Sequence, residues 1–294
     1  MLLASRLKNI LPFYYGWAIV GAAGTVVFGR MAPNITTLTV FMYPMSQELG
    51  WSRTLIAGSS SVGGLLASGA SPGVGWLVDR FGARIVLASS VFVLGLSTIS
   101  LAWATAPIAF YVAYGVGRVM FSSTIQISSS VVVSRWFIRI RGRAAGFLSM
   151  FQAMGMTMFP LVASLIILYR DSQAAWIVLG VLVWVIALLP VTLLIAETPE
   201  SMGLRPDGDG AAHDSGDQAT SLSEAREPLW SLAEALRTPT LWVLAVGGGL
   251  MFVIQSGTNI HLVAYLRDQG LGEAVSASAI VVTAVMTAVG SVSW

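Results

Sequence analysis

The sequence predicts an all-α protein that crosses a membrane several times, and three observations carry this prediction. Hydrophobic residues make up 55% of the 294-residue chain, and its mean hydropathy is +0.78. Charged residues make up only 10%, less than half the share of about 25% in an ordinary soluble domain. The uncharged stretches between them are long enough for membrane-spanning helices of roughly 20 residues. A water-soluble domain could not cover its surface with so few charges, so that class is excluded.

Three residue types that support common chemistries are rare or missing. The chain has no cysteine, which excludes disulfides, thiol catalysis and zinc sites built on cysteine. Its two histidines, His213 and His261, are too few for a His-rich metal centre. Its single lysine, Lys8, precedes Asn9, so no phosphate-binding Walker A loop is present. We therefore expect no metal, no cofactor and no ATP hydrolysis by the chain itself.

The uncharged stretches predict about eight transmembrane helices. The first is interpreted as one long helix, kinked at Pro33 and containing Arg30. The stretch 85–133 is too long for one span, and Ala104-Thr105-Ala106-Pro107 is the predicted turn within it. The predicted spans are 14–46, 54–76, 84–104, 108–133, 144–168, 173–195, 239–265 and 274–294.

Residues 197–237 interrupt the apolar pattern with nine acidic residues, three arginines and many Gly, Ser and Pro residues. Such a composition is typical of a flexible linker. Near its end, one helical face carries Leu229, Leu232, Ala233 and Leu236. This spacing predicts a short amphipathic helix over 228–237 on the membrane surface. The chain is thus divided into a six-helix bundle over 1–196, a cytoplasmic loop over 197–237 and two further helices over 238–294.

The basic residues predict the orientation of the chain in the membrane. With the N-terminus inside, eleven basic residues lie on the cytoplasmic side and three lie outside. The remaining two, Arg30 and Arg118, lie within predicted spans. This distribution follows the positive-inside rule and predicts a cytoplasmic N-terminus. The sequence pI of about 9.1 therefore reflects membrane topology, and we expect the lipid bilayer, not nucleic acid, as the partner.

The loop between the second and third predicted spans carries a motif formed by Gly75, Asp79, Arg80, Gly82 and Arg84. Glycine permits a tight turn at a helix end, and an aspartate there can face the N-terminus of a neighbouring helix. The arginines would hold the loop at the inner membrane surface. This spacing resembles the loop 2–3 motif of the major facilitator superfamily.

Other short motifs resemble bacterial carriers of the monocarboxylate-transporter and oxalate:formate-antiporter type within that superfamily. They are Tyr15-Gly16-Trp17, Gly50-Trp51-Ser52-Arg53, Ser134-Arg135-Trp136-Phe137, Glu197-Thr198-Pro199-Glu200, Gly203–Gly208 and His261–Leu266. The resemblance implies alternating-access secondary transport of a small organic anion, with the site near the membrane midplane between two helical bundles. It also implies a bacterial inner (cell) membrane, and a proton or a counter-anion as coupling partner.

Two departures limit what the resemblance implies. Related animal carriers have Pro-Lys in span one and an Asp/Arg pair in span eight, whereas this chain has Pro33-Asn34 and an uncharged predicted span eight. A proton-linked lactate mechanism is therefore not carried over. Carriers of this type have twelve spans, while this sequence stops at Trp294 as the eighth ends. We expect a truncated sequence, and a non-transporting remnant or sensor of the same fold is an alternative function.

The two arginines within predicted spans are the principal candidate substrate-binding residues. A charge at the centre of a transmembrane helix costs roughly 2.5–3.5 kcal/mol and normally has a partner. No Asp or Glu lies well inside a predicted span. We therefore predict that a substrate carboxylate is the counter-ion, bound by guanidinium hydrogen bonds. Alternatively, Arg30 extends to the outer interface, or Arg118 braces neighbouring backbone carbonyls, as its resemblance to a span-four motif of the superfamily implies.

Five further polar residues complete the predicted substrate site. Asn34 follows the first arginine by one helical turn and is expected on the same face. Gln126, Gln255 and Asn259 are amides in otherwise apolar spans, where they either line the cavity or join helices. His261 titrates near neutral pH and is either an anion ligand, a proton relay or a structural residue. An intramembrane enzyme is disfavoured, because the sequence lacks His-Glu-x-x-His, cysteine and an intramembrane Asp/Glu pair.

Overall fold

The computed structural model of the chain describes residues 13–208 and 232–270, together with the single positions Val282 and Met286. Among these residues the secondary structure is almost wholly helical and no strand occurs, which confirms the all-α class. The described residues fall into two compact units, one containing 13–208 and the other 232–270.

The first unit is a helical bundle. Its helices are α1 (Gly16–Gly29), α2 (Ile35–Leu49), α3 (Arg53–Phe81), α4 (Ala83–Ser100), α5 (Pro107–Val119), α6 (Ile125–Trp136), α7 (Arg141–Tyr169), α8 (Ser172–Val183) and α9 (Leu189–Leu194). Leu101–Trp103 extends α4 as a 3-10 turn, and the π-helical turns Met120–Thr124 and Trp184–Leu188 join α5 to α6 and α8 to α9. The second unit contains α10 (Leu232–Arg237) and α11 (Pro239–Asp268).

Four helical stretches of the described chain are long and apolar enough to cross a membrane. They are Ala83–Trp103, Pro107–Trp136, Arg141–Tyr169 and Ser172–Leu194, which correspond to the predicted third to sixth spans. Helix α3 lies at the predicted second span, and the shorter apolar helices Gly16–Gly29 and Pro239–Ile254 lie at the first and seventh. The predicted eighth span falls outside the described residues except at positions 282 and 286. In the predicted amphipathic segment, α10 is helical and residues 228–231 lie outside the described ranges.

The first predicted span is wrong in one respect, because it is two helices and not one helix kinked at Pro33. Residues 30–34 form a chain of tight turns, in which Asn34 N–H donates to Met31 O at 3.1 Å. A proline has no N–H with which to continue the helical hydrogen bonds. Asn34 is extended (ψ 160°), and its Oδ1 accepts from Ile35 N–H at 2.7 Å, so it caps a new helix. Arg30 and Asn34 therefore do not share one helical face.

The other helix boundaries follow local signals. Helix α5 begins at Pro107 after the turn that the sequence predicts at Ala104–Pro107; proline is favoured at the first helical position because its missing N–H would have no partner there. Ser52 Oγ accepts from Leu55 N–H at 3.2 Å and caps α3. Asp171 Oδ1 likewise accepts from Ala174 N–H at 2.6 Å and caps α8.

The helices of the first unit pack mainly in the pairs α3–α5, α4–α8 and α1–α7. Two three-span repeats related by a two-fold axis would give this pairing. Large apolar side chains such as Ile108 and Leu168 are exposed on the bundle, which suits a surface that faces lipid tails. Inside, the rings of Phe41 and Trp176 stack with centroids 3.7 Å apart.

Several of the short motifs meet at the end of the bundle where α1 begins. Tyr14 OH donates to Trp136 O at 3.3 Å and to Arg205 O at 2.9 Å. Trp136 Nε1–H donates to Ala196 O at 3.1 Å. The start of α1, the end of α6 and the segment after α9 are thereby joined in one hydrogen-bond network.

Asp207 fastens the segment after α9 to the loop between α6 and α7. Its carboxylate accepts from three consecutive backbone N–H groups, those of Ile138 at 3.1 Å, Arg139 at 2.8 Å and Ile140 at 3.4 Å. Asp207 has φ of 60°, a conformation that residues other than glycine seldom adopt. The three hydrogen bonds compensate for this backbone strain.

Replacing Asp207 with Ala should loosen the loop between α6 and α7. The loss of the carboxylate leaves three N–H groups without their acceptor, at a cost of about 1–2 kcal/mol. We expect the amide hydrogens of residues 138–140 to exchange at least about tenfold faster, as measured by hydrogen–deuterium exchange with mass spectrometry. Glu200→Ala, an exposed acidic position in the same segment, is the control and should leave that exchange unchanged. Equal exchange in the wild type and the Asp207 variant would contradict the prediction.

Candidate functional site

The two intramembrane arginines both stand where a regular helix ends. Arg30 is the C-terminal cap of α1, directly before the turn at residues 30–34. Arg118 lies in the last turn of α5, directly before the π-helical turn Met120–Thr124. Irregular backbone inside a membrane is tolerated where it is buried in protein or lines a cavity, because its polar groups need partners. Both arginines therefore lie next to irregular backbone whose carbonyl groups can accept a hydrogen bond from a guanidinium group.

Arg30 is buried and bound on two sides. Its Nη1 donates to Phe121 O at 2.8 Å and its Nη2 donates to Gln152 Oε1 at 2.6 Å. The side chain is only 4% exposed. It is therefore turned into the bundle, and the alternative that it extends to the outer interface is wrong. Arg30 connects α1 to the π-helical turn and to α7.

The π-helical turn explains why the Phe121 carbonyl can accept from Arg30. In a regular α-helix the N–H of Ile125 would bond to Phe121 O, four residues earlier. Here Ile125 N–H bonds instead to Met120 O, five residues earlier. The carbonyl loses its usual donor, and the guanidinium of Arg30 supplies one. Such π-helical turns occur frequently at functional sites.

Both arginines contact the aromatic ring of Phe121. The Cζ atoms of Arg30 and Arg118 are each 4.8 Å from the ring centroid, so the guanidinium groups lie within twice that distance of each other. The ring face attracts both cations, while the cations repel each other. Among the described residues, no carboxylate forms an ion pair or hydrogen bond with either arginine. The site is therefore a cationic centre within the bundle.

Arg118 differs from Arg30 in its hydrogen bonding. The Nε atoms of both arginines are buried without a partner. Arg30 nevertheless donates through both Nη atoms, whereas the half-buried Arg118 makes no hydrogen bond within the described part of the chain. Its stem packs over Gly63 of α3, where a Cβ added to the glycine would lie 2.8 Å from Arg118 Cβ. The expected bracing of a backbone carbonyl is performed by Arg30 and not by Arg118.

Asn34 and Gln126 lie apart from the arginine pair in their contacts. Asn34 is 7% exposed; its Oδ1 caps α2, and its Nδ2 lies 3.5 Å from Met31 Sδ. Gln126 is exposed near the start of α6. No hydrogen bond between either amide and an arginine occurs within residues 13–208. The structure therefore gives Asn34 a capping role, and substrate contact by either residue stays a prediction.

The remaining predicted site residues, Gln255, Asn259 and His261, belong to α11. Their side chains lie outside the described residues. Their place in the substrate site stays a prediction.

The loop 2–3 motif forms the junction between α3 and α4. Its residues are Gly75 within α3, the exposed Asp79 and Arg80 near the end of α3, Gly82 at the turn, and Arg84 in the first turn of α4. Gly82 has φ of 83° and ψ of 147°, a conformation open essentially to glycine alone, and the Glu197 carboxylate packs against it. The Arg84 guanidinium donates to Thr192 O. The motif thus ties the α3–α4 turn to the end of α9.

Two residues of this centre, Gln152 and Phe121, were not predicted from the sequence. Gln152 had a usable signal, because it is an amide in the otherwise apolar fifth span, the same criterion that selected Gln126. Phe121 had no such signal, since it acts through its backbone carbonyl and its ring. Neither of those groups distinguishes it from other aromatic residues of the spans.

The apolar exposed surface, the long helices and the cationic centre inside the bundle define a multi-pass helical membrane protein. The family model described as "Major Facilitator Superfamily" matches residues 20–294. The chain belongs to the major facilitator superfamily. Members of this superfamily are transporters and not enzymes, which confirms the sequence-based expectation on both points.

Two curated relatives show weaker similarity. The oxalate:formate antiporter of Oxalobacter formigenes is 24% identical over 244 residues, which cover 81% of this chain and 52% of the relative. The uncharacterized MFS-type transporter YcxA of Bacillus subtilis (strain 168) is 24% identical over 160 residues, covering 54% of this chain and 39% of the relative. The chain thus spans about half the length, or less, of the curated relatives it matches.

Proposed function

We propose that this protein is a secondary active transporter of a small organic anion, such as a monocarboxylate, working by alternating access. One observation carries the proposal: two guanidinium groups share the Phe121 ring inside the bundle, and no described carboxylate pairs with either of them. Intramembrane charges usually mark substrate pathways. An anionic substrate would supply the charge that the bundle lacks.

The two arginines would have different roles in binding. Arg30 already donates to Phe121 O and to Gln152 Oε1, so it contributes a fixed positive charge. Arg118 makes no hydrogen bond within the described chain, so its guanidinium can donate to a carboxylate in the paired geometry that makes such bonds strong. We also propose Asn34, Gln126, Gln255, Asn259 and His261 as further polar residues of the substrate pathway.

We further propose a bacterial inner membrane as the location, with a cytoplasmic N-terminus. The hydrogen bonds of Tyr14 to Trp136 O and Arg205 O gather the start of α1, the end of α6 and the segment after α9 at one end of the bundle. Arg84 donates to Thr192 O, so the start of α4 joins that end through α9. An arginine-rich end of the bundle supports a cytoplasmic location for it, in line with the positive-inside rule.

Uptake into proteoliposomes tests the proposed function. The purified protein is reconstituted and supplied with labelled formate, acetate, lactate or oxalate; formate and oxalate are included because one relative is named an oxalate:formate antiporter. We expect saturable uptake of at least one anion above that of protein-free liposomes. Dependence on a proton gradient or on an internal counter-anion identifies the coupling partner. Binding without uptake would instead support a non-transporting sensor, and the absence of both would refute the proposal.

A further inference from the structure

Gln152 stands at the edge of the cationic centre. It is exposed on α7, and its side-chain oxygen accepts from Arg30 Nη2 at 2.6 Å. Its partner Arg30 is buried. One end of this side-chain amide, the oxygen, is occupied by the hydrogen bond with Arg30. The other end, the nitrogen, can bind a further partner.

The guanidinium group of Arg30 determines which atom of the Gln152 amide faces it. A guanidinium has N–H donors and no acceptor, so only the amide oxygen of Gln152 can face Arg30. The Nε2 group, with its two N–H donors, must then point away from that hydrogen bond. No described residue accepts a hydrogen bond from this Nε2. The amide is thereby oriented as a donor on the exposed side of the centre.

From this geometry we propose that Gln152 is a substrate-contacting residue, whose Nε2–H₂ donates to an oxygen of the bound organic anion. The inference rests on the proposed transport function and deepens it. Arg30 connects Gln152 to the centre, because it also shares the Phe121 ring with Arg118. The carboxylate would thus be bound by the charged Arg118 and by a neutral donor held in direction by Arg30. A neutral directional donor selects for the placement of oxygen atoms, beyond the charge of the anion.

The variant Gln152→Glu separates this role from a purely structural one. A glutamate keeps an acceptor oxygen for Arg30 and adds an ion pair, so the packing around Arg30 should be preserved or strengthened. It has no N–H donor for the substrate. We expect the dissociation constant of the best-bound anion of the formate, acetate, lactate and oxalate panel to rise about tenfold or more, the usual effect of losing a hydrogen bond to a charged group.

A matched control separates the loss of the donor from the added negative charge. Ser149 is exposed one helical turn before Gln152 on α7, so Ser149→Asp adds the same charge nearby and keeps the amide. We expect Ser149→Asp to raise the dissociation constant less than about threefold, because it leaves the Nε2 donor of Gln152 in place. Both variants are measured by titration calorimetry in lipid nanodiscs, after thermal unfolding has shown that they are folded.

Two outcomes would overturn the role of Gln152 while leaving the transport proposal intact. Unchanged affinity in Gln152→Glu would show that the amide serves only Arg30. Equal weakening in Gln152→Glu and Ser149→Asp would show that charge alone accounts for the effect. By contrast, a wild-type protein that binds none of the four anions and takes up none of them would refute the proposed function itself.

Discussion

Replacing Arg118 with Gln is expected to lower anion uptake about a hundredfold without lowering thermal stability. The variant loses the charge-assisted hydrogen bonds that the guanidinium would make to a carboxylate, and each tenfold loss corresponds to about 1.4 kcal/mol. Within the described chain Arg118 makes no hydrogen bond, so its removal breaks none. It also removes an uncompensated intramembrane charge, which is costly by itself. The measurements are initial rates of uptake into proteoliposomes and thermal unfolding of the same preparations.

The control for Arg118→Gln is the variant Arg170→Gln, measured for uptake in the same way. Arg170 is the exposed C-terminal cap of α7 and is not one of the arginines that contact the Phe121 ring. Its replacement should leave uptake within about twofold of the wild type. The uptake rate of Arg118→Lys should lie between those of Arg118→Gln and Arg170→Gln, because lysine keeps the charge but lacks the paired donor geometry. Undiminished uptake of every anion by Arg118→Gln would remove Arg118 from the substrate site.

The largest loss of stability is expected from Gly155→Ala in α7. A methyl group on Gly155 would lie 2.6 Å from Phe28 O and 2.9 Å from Met31 Cγ. Both neighbours belong to the end of α1 and the turn that follows it. The shorter contact is with the backbone oxygen of Phe28, so rotating the Met31 side chain alone cannot relieve the clash. Overpacking of this kind costs about 1–3 kcal/mol. We expect a clearly lower unfolding temperature in nanodiscs, together with reduced uptake because Arg30 lies in the same turn.

Gly69→Ala provides the matched substitution. Nothing lies within 4 Å of the position that its methyl group would occupy in α3, and alanine is favoured over glycine inside helices by about 0.5–1 kcal/mol. The unfolding temperature of this variant should therefore be unchanged or higher. If the two alanine variants unfolded at the same temperature, the close contact between α7 and the turn after α1 would not be a determinant of stability.

The break in the first span shows how far local signals reach. Both Pro33 and Pro107 are visible in the sequence. At Pro107 the prediction of a turn is confirmed, because proline begins α5 there. At Pro33 the sequence predicts a kink, yet the helix ends. Whether a helix resumes after a proline depends on which groups satisfy the interrupted backbone, and here Asn34 caps a new helix.

The candidate site was also predictable only in part from the sequence. The arginines stand out because a charge inside an apolar span is conspicuous in any hydropathy pattern, and the scarcity of acidic residues in the spans is equally visible. The different hydrogen bonding of Arg30 and Arg118 cannot be predicted from the sequence. It depends on the Phe121 carbonyl, which loses its helical donor in the π-helical turn and accepts from Arg30 instead. The same holds for the contact of Asp207 with the loop between α6 and α7, which joins residues far apart in sequence.

The sequence by itself determined that this is a helical membrane protein, where its third to sixth spans lie and that two arginines lie within spans. These properties depend on the composition of consecutive residues, which hydropathy and charge record directly. Only the tertiary structure decided that Arg30 is held while Arg118 makes no hydrogen bond in the described chain, and that Gln152 belongs to the centre. The partners of Arg30 are 91 and 122 residues away along the chain. Such contacts arise from the packing of α1 against α7 and from the geometry of one irregular turn, which no run of neighbouring residues specifies.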